Sequence, residues 1–217
     1  MMRRDLRQAY RRVLWVGDPP ALPPDVPVVL YANHHGFFDA HLAWIAVERL
    51  LGRPVMTWMA DWDRFPFFGA VGAQPFPPDD SKRRAATVRR TARHFREQRP
   101  SPVLVYFPEG HLHAPEEGLL PFDAIPLARM SRLLPGALWW PVAMHATWRG
   151  EALPTALLAG GQPHEAIRGD ERERLEALWH GLRTTMPERT LTLLEGAHSP
   201  QERWDFGFAK GLFARYL

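Results

Sequence analysis

The 217-residue chain contains no cysteine and no apolar stretch long enough to span a membrane. The absence of cysteine excludes disulfides and thiolate metal sites, and it fits a reducing compartment. The longest apolar stretches, such as residues 137–144, are far shorter than the roughly 20 residues that cross a bilayer as a helix. The N-terminus is basic but lacks the apolar segment of a secretory signal, so we expect a cytoplasmic protein.

Basic residues are concentrated in two segments, although the formal net charge is only +3. One cluster lies in residues 3–12, the second lies in residues 82–99, and the chain has nine tryptophans. Basic clusters with tryptophan are typical of contact with an anionic membrane surface, because indoles prefer the headgroup layer. The alternative is that arginine solvates helix faces and tryptophan fills the core. The second cluster lacks the signature of a nucleic-acid-binding fold, so we expect no nucleic-acid partner.

The N-terminal segment, residues 3–16, is predicted to form a basic amphipathic helix. Such a helix can lie in a membrane interface or pack on the domain, and its pattern fits both alternatives. We therefore expect this helix within residues 1–18, a main domain over 19–187, and a C-terminal extension over 188–217 that packs on the domain or on the membrane. Hydrophobic residues make up 46% of the chain, so a substantial core is expected.

Short apolar runs alternate with helical patterns along the rest of the chain. Strands are predicted at residues 28–31, 55–59, 103–107, 138–144, 156–159 and 190–194. Helices are predicted at residues 38–51, 121–134 and 171–186, and another begins at a cap in residues 79–81 with the apolar stripe Ala85, Val88, Ala92 and Phe95. This alternation predicts a single α/β domain with a largely parallel or mixed central sheet flanked by helices.

A histidine and an aspartate follow the first of these strands, in Tyr31-Ala-Asn-His-His-Gly-Phe-Phe-Asp39. An imidazole paired with a carboxylate can deprotonate a hydroxyl, and sheets of this kind place their sites just past strand ends. On a regular helix the partner of Asp39 would be His35, four residues away. His34 becomes the partner only if it lies in a turn before the helix. Spacing alone therefore favours His35.

A second polar cluster, Phe107-Pro-Glu-Gly110, follows another predicted strand. The pattern Asn33-His34-x4-Asp39 followed by Phe-Pro-Glu-Gly resembles the first and third motifs of the glycerolipid acyltransferase family, typified by 1-acylglycerol-3-phosphate acyltransferase. Leu120-Pro-Phe122 and Trp140-Pro-Val142 resemble two further landmarks of that family, in the same order. The resemblance implies the family's α/β fold and moves the assignment from His35 to His34.

The resemblance implies transfer of a fatty acyl group from a thioester of acyl-carrier protein or coenzyme A to a lipid hydroxyl, as in phospholipid biosynthesis. His34 would be the general base and Asp39 would orient it, while Glu109 and Gly110 would help bind the acceptor. It implies no acyl-enzyme and no cofactor, because the thioester is itself a substrate. The implied partners are membrane lipids and the acyl donor, at the cytoplasmic face of a membrane.

The chain differs from the family at two positions where family members have an arginine that would hold the phosphate of the acceptor. The arginine of the second motif is replaced by proline in residues 72–78, and Thr-Arg-Ser of the third motif is replaced by His111-Leu-His113. His111 and His113 are expected to line the acceptor pocket. The guanidinium and ammonium groups of the nearby basic run are candidate replacements for the lost cations, namely Lys82, Arg83 and Arg84. We favour an acceptor without phosphate, such as a glycolipid or an isoprenoid glycoside, over a standard lysophospholipid.

Two other classes of function are weighed against acyl transfer. An incomplete third motif fits a non-catalytic lipid-binding module, but the presence of His34, Asp39 and Glu109 argues against it. The many histidines suggest a metal-dependent hydrolase, but their spacing matches neither H-x-H-x-D-H nor H-E-x-x-H, so we expect no metal.

Overall fold

A computed structural model describes residues 1–122, 124–185 and 187–197, with the side chains of residues 124–126 left aside. The strands are β1 (Arg12–Val16), β2 (Val28–Ala32), β3 (Val55–Met59), β4 (Ala73–Pro75), β5 (Val103–Tyr106), β6 (Leu138–Thr147), β7 (Thr155–Gly160) and β8 (Thr190–Glu195). The helices are α1 (Met2–Ala9), α2 (Asp39–Leu51), α3 (Ser81–Glu97), α4 (Ala124–Leu133) and α5 (Glu171–Thr184). Two short 3-10 helices span Pro66–Val71 and Pro115–Glu117.

The eight strands form one mixed sheet in the order β4-β3-β5-β2-β6-β7-β1-β8. Five neighbouring strands, from β4 to β6 in that order, are parallel. The strand β7 runs antiparallel to β6, and β1 runs parallel to β7. The predicted α/β class and largely parallel sheet are therefore confirmed. The carboxyl ends of β2, β5 and β6 meet at one edge of the sheet.

The sheet is buried on both faces, which explains why its central strands are continuously apolar. All five residues of β2 are buried, and alternate side chains enter opposite layers. We call the two layers the α2 face, which also contains α1, and the α5 face, which also contains α3 and α4. On the α2 face Trp15 packs against Trp140 with ring centroids 5.6 Å apart. Tyr31 and Trp139 lie on the α5 face.

The N-terminal segment differs from its prediction, because the helix ends at Ala9 and residues 12–16 form strand β1. The run Val13-Leu-Trp15 fits a helix pattern, but its side chains enter both layers of the sheet. Leu6 of α1 is fully buried, and α1 packs on α2 and β8. The apolar side of this helix therefore faces the domain, as in the alternative in which the helix packs on it, and contact of the helix with a membrane stays a prediction.

The apolar stripe predicted for α3 is also wrong in part, because Ala85 is exposed. The helix buries Thr87, Thr91 and Phe95 at a spacing of four residues. The Thr87 hydroxyl donates to the Pro75 carbonyl at 2.7 Å, and Thr91 accepts from the Trp58 indole N–H at 3.0 Å. Because both hydroxyls form hydrogen bonds, these two threonines are buried without an unsatisfied polar group. A search for apolar residues at helical spacing does not find such positions.

The remaining predicted helices and strands are confirmed within the described residues, with bounds that differ by a few positions. The segment 61–78, read as irregular, contains β4 and a 3-10 helix. Gly72 lies between them with φ of 91°, and a Cβ there would come within 1.8 Å of the Val55 carbonyl oxygen. The aromatic and basic tail at residues 204–217 lies outside the described part of the chain. None of the described helices is both long enough and apolar enough to cross a membrane.

Candidate active site

His34 and Asp39 are in contact at the carboxyl end of β2, where the chain turns into α2. The Nδ1 atom of His34 lies 3.2 Å from Oδ2 of Asp39, and the same oxygen accepts the Gly36 backbone N–H at 2.7 Å. Asp39 is buried, whereas about a quarter of the His34 side chain is exposed, at 23%. A Cβ on Gly36 would lie 3.0 Å from Asp39 Oδ1, so the tight turn favours glycine.

The second cluster holds His34 from the neighbouring strand. The Phe107 ring stacks on the His34 imidazole with centroids 4.3 Å apart and planes inclined by 20°. The Glu109 carboxylate accepts the backbone N–H of His34 at 2.8 Å. Because β2 and β5 are adjacent and parallel, the two motifs that lie seventy residues apart in sequence meet at one sheet edge. The imidazole is thus fixed by Asp39, by Phe107 and through its own backbone.

His35 has a different environment and does not pair with Asp39. Its Nδ1 accepts from the Asn33 amide at 3.0 Å, and its Nε2 lies 3.2 Å from the Gly118 carbonyl oxygen. Asn33 is held in that orientation, because it also donates to Met144 O and accepts from Met144 N. The proton of neutral His35 therefore lies on Nε2. Burial lowers the pKa of His35, which favours this neutral form.

Glu109 lies inside the fold and is bonded by the protein on both carboxylate oxygens. Its Oε2 accepts the Leu120 backbone N–H at 2.8 Å and lies 2.5 Å from Nε2 of His113. His113 also donates its backbone N–H to the carbonyl of His34 at 3.2 Å. Neither the Glu109 nor the His113 side chain is open to solvent, at 0% and 3%. That Glu109 and His113 bind the acceptor stays a prediction. Their observed contacts join the loops that contain His34, residues 109–113 and Leu120.

Of the other predicted substrate-binding residues, Gly110 and His111 adjoin this network, since the centroids of the His111 and His113 rings lie 6.2 Å apart. Gly110 has φ of 80°, a left-handed conformation that favours glycine, and His111 beside it is exposed. Arg83 forms two hydrogen bonds of 2.7 Å with Asp63, and Arg84 donates to the backbone carbonyls of Pro77 and Pro78. Lys82 is exposed. Two of the three candidate cations, Arg83 and Arg84, therefore already have partners within the protein. Phosphate binding by any of the three stays a prediction.

Three side chains of this network could in principle hold a metal ion, because ligand atoms of His35, Glu109 and His113 lie within 4.8 Å of one another. The Asn33 amide opposes such a site. It donates to Nδ1 of His35, so the proton lies on Nε2, which donates it to the Gly118 carbonyl, and both ring nitrogens already have partners within the protein. A metal ligand needs an unprotonated nitrogen. The hydrogen bonds therefore favour a proton-bearing polar network over a metal centre.

An aromatic groove opens beside the start of α2. It has a volume of about 600 Å³ and lies between α1, the start of α2 and the 3-10 helix Pro66–Val71. Its aromatic lining residues are Phe37, Phe38, His41, Phe65, Phe67 and Phe68. Phe37 and Phe67 are more than half exposed, which is unusual for side chains of this size. Burial lowers the pKa of His41, so a neutral ring is favoured within the groove.

Comparison with known proteins shows to which family the chain belongs. A search of curated proteins finds no match to the chain. The sequence profile of the acyltransferase family matches residues 15–144, which is more than half of the chain and includes both His34–Asp39 and Phe107–Gly110. The chain therefore belongs to the glycerolipid acyltransferase family, as its motifs indicated.

Proposed function

We propose that this acyltransferase moves a fatty acyl group from a thioester to the hydroxyl of a lipid, with His34 as the general base. The observation that carries the proposal is the His34–Asp39 contact of 3.2 Å at the carboxyl edge of the sheet, in a chain of the acyltransferase family. With its proton on Nδ1, directed at Asp39, the imidazole keeps the Nε2 lone pair for the acceptor hydroxyl.

The proposed reaction proceeds in two proton transfers and needs no acyl-enzyme. Nε2 of His34 takes the hydroxyl proton as the alkoxide oxygen attacks the thioester carbonyl, which forms a tetrahedral intermediate. The intermediate collapses, the C–S bond breaks, and the imidazolium returns the proton to the leaving thiolate. Asp39 stabilises the imidazolium between these steps. The chain has no cysteine, so a thiol nucleophile of its own is excluded.

For the acceptor we favour a lipid alcohol without phosphate, such as a glycolipid or an isoprenoid glycoside. The positions where the family carries arginine have proline and leucine here, and Arg83 and Arg84 are engaged by Asp63 and by backbone carbonyls. A standard lysophospholipid is the alternative, and the exposed Lys82 is the candidate that would then bind its phosphate.

We also propose that the protein works as a peripheral protein on the cytoplasmic face of a membrane. The exposed rings of Phe37 and Phe67 support this proposal, because large apolar side chains beside a reactive site mark a surface that is covered during function. The basic side chains at the solvent side of α1 support contact with anionic headgroups, namely Arg3, Arg4 and Arg7. Neither a cofactor nor a metal is needed for this chemistry.

The test is a mass-spectrometric screen of labelled palmitoyl thioester against lysophospholipids, glycolipids and lipid alcohols. Labelled glycolipid or lipid-alcohol ester is the expected product, and its formation should depend on His34. Product from lysophosphatidic acid alone would reject the phosphate-free acceptor while keeping acyl transfer. Binding of lipids without product formation by the wild type would instead favour the rival class, a non-catalytic lipid-binding module.

A further inference from the structure

The solvent side of α3 is cationic along its whole length. Its exposed basic side chains, which we call the α3 stripe, are Lys82, Arg89, Arg90, Arg93 and Arg96. Glu97 in the last turn is the only acidic residue in the helix. Because an α-helix rises about 1.5 Å per residue, the stripe extends over roughly 21 Å from Lys82 to Arg96.

This pattern is unfavourable for the helix itself. The first turn contains no acidic residue, although the helix dipole favours negative charge there. Like charges at i and i+4, such as Arg89 and Arg93, cost about 0.2–0.5 kcal/mol for each pair. The helix is held by its Asp80 cap, which accepts from the Arg83 N–H at 2.9 Å, and by its buried side. Local features that oppose the fold are expected where a function requires them.

The charges of the stripe are not neutralised within the part of the chain that the structure describes. There, Lys82, Arg89, Arg90 and Arg96 form neither an ion pair nor a side-chain hydrogen bond, and Arg93 has only a 3.9 Å contact with Glu97. Arg83 on the same helix differs, because Asp63 binds both of its terminal nitrogens. The stripe is therefore available to acidic groups from outside.

The composition of the stripe favours a protein partner over a membrane. A helix that lies in a lipid interface needs large apolar side chains next to its basic ones. The exposed apolar positions among these arginines are only Ala85 and Ala86. The exposed rings of Phe37 and Phe67 line the groove beside α1 and α2 instead. The stripe also offers no aromatic side chain on which a nucleic-acid base could stack. A straight cationic helix best complements an acidic helix of another protein.

The position of α3 relates the stripe to His34. The helix begins just past the carboxyl end of β4, at the sheet edge where the candidate active site lies. In the sheet order β4 is three strands from β2, and a strand spacing of about 4.8 Å separates them by roughly 14 Å. A partner bound along the stripe would have one end near the active site.

We propose that the α3 stripe docks an acidic carrier protein, which delivers the acyl thioester to His34 on its flexible arm. The inference rests on the proposed acyl transfer and selects the carrier protein as the donor over free acyl-coenzyme A. Docking involves no covalent step, so the stripe acts on donor capture and leaves the chemistry at His34 unchanged. Electrostatic attraction of this kind raises the association rate and weakens as salt screens it.

The test is a triple charge reversal, Arg89→Glu with Arg93→Glu and Arg96→Glu. With palmitoyl-carrier protein as donor, we expect the KM of the variant to rise at least tenfold at an unchanged kcat, because reversed charges repel an acidic partner. With palmitoyl-coenzyme A, both constants should equal those of the wild type. Raising the NaCl concentration should increase the wild-type KM for the carrier protein and lower that of the variant, because salt screens both the attraction and the repulsion.

The matched control is Arg129→Glu with Arg132→Glu on the exposed side of α4, which should change neither donor's kinetics. Unchanged carrier kinetics in the triple variant, or an equal loss with both donors, would overturn the proposal. Loss of binding to phosphatidylglycerol vesicles with intact carrier kinetics would assign the stripe to the membrane instead.

A binding measurement separates this inference from the proposed function. Fluorescence anisotropy of labelled carrier protein without its acyl group should show binding to the wild type and at least tenfold weaker binding to the triple variant. This readout needs no turnover, so it stands even if His34 proves not to catalyse acyl transfer. Equal binding to both proteins would reject the stripe as a docking site, and matching thermal denaturation curves would show that the variant is folded.

Discussion

His34 and His35 are adjacent in sequence and lie in opposite environments. His34 faces the α2 layer, where Asp39 and Phe107 hold a ring that is partly open to solvent. His35 faces the α5 layer, where Asn33 and Gly118 occupy both nitrogens and Trp179 packs against the ring at 4.8 Å. A partner on one nitrogen orients a base and leaves the other nitrogen free to accept a proton, whereas partners on both nitrogens make the ring a structural crosslink.

The largest expected effect is that of His34→Ala, which removes the proposed base. General-base catalysis contributes roughly 10²–10⁴-fold, so kcat should fall by about that factor in the labelled-product assay. The matched control is His35→Ala, whose effect on kcat should be much smaller. If the two effects were reversed, the assignment of the base would be wrong.

Asp39→Asn should come next, because a neutral amide cannot stabilise the imidazolium as the carboxylate does. We expect kcat to fall by about 10²-fold or more with little change in KM. The Gly36 N–H can still be accepted by the amide oxygen, so the melting temperature should change little. A large loss of stability with unaltered specific activity would contradict the orienting role.

Glu109→Gln tests whether this residue binds the acceptor or holds the site. The glutamine has one acceptor oxygen, but the carboxylate now serves two backbone N–H groups and His113. We expect a loss of about 1–3 kcal/mol in the free energy of unfolding by urea denaturation. An unchanged stability with a raised KM for the lipid acceptor would favour acceptor binding instead.

His35→Ala sharpens the comparison from the structural side. It leaves the Asn33 N–H and the Gly118 carbonyl without their partner, and such losses cost about 1–3 kcal/mol. The free energy of unfolding should therefore fall in His35→Ala and remain close to the wild-type value in His34→Ala. His34→Ala would then lose activity with little change in stability, and His35→Ala would lose stability with a much smaller loss of activity.

The smallest expected effect is a pH dependence of stability. Burial lowers the pKa of His35, His41 and His145 below the ordinary value of 6.5, so the unfolded chain binds more protons than the folded one as that value is approached from above. Stability should accordingly be full above pH 6.5 and decline as the pH falls below it. Denaturation between pH 5 and 8 should show a shallower decline in His35→Ala, and an unchanged slope would contradict the buried neutral ring.

The sequence predicted most strands and helices because the central strands of the sheet are buried on both faces and are continuously apolar. It misread residues 12–16, since a run such as Val13-Leu-Trp15 satisfies a helical stripe and a doubly buried strand equally well. The burial of Thr87 and Thr91 could not be predicted, because their hydroxyl partners, Pro75 and Trp58, come from other elements. Family resemblance selected His34, where helical spacing alone favoured His35.

The α/β class, the two motifs and the family follow from the order of the residues, because periodicity and motif spacing are local or linear properties of the chain. The histidine that contacts Asp39 follows from the folded structure, because α2 begins at Asp39 and leaves His34 in the preceding turn. The folded structure also decided that Glu109 lies buried among backbone N–H groups, and that, within the described residues, the α3 stripe has a single ion-pair contact, between Arg93 and Glu97. Those outcomes depend on which elements meet in space, and packing of the parallel sheet brings together residues that the linear order keeps apart.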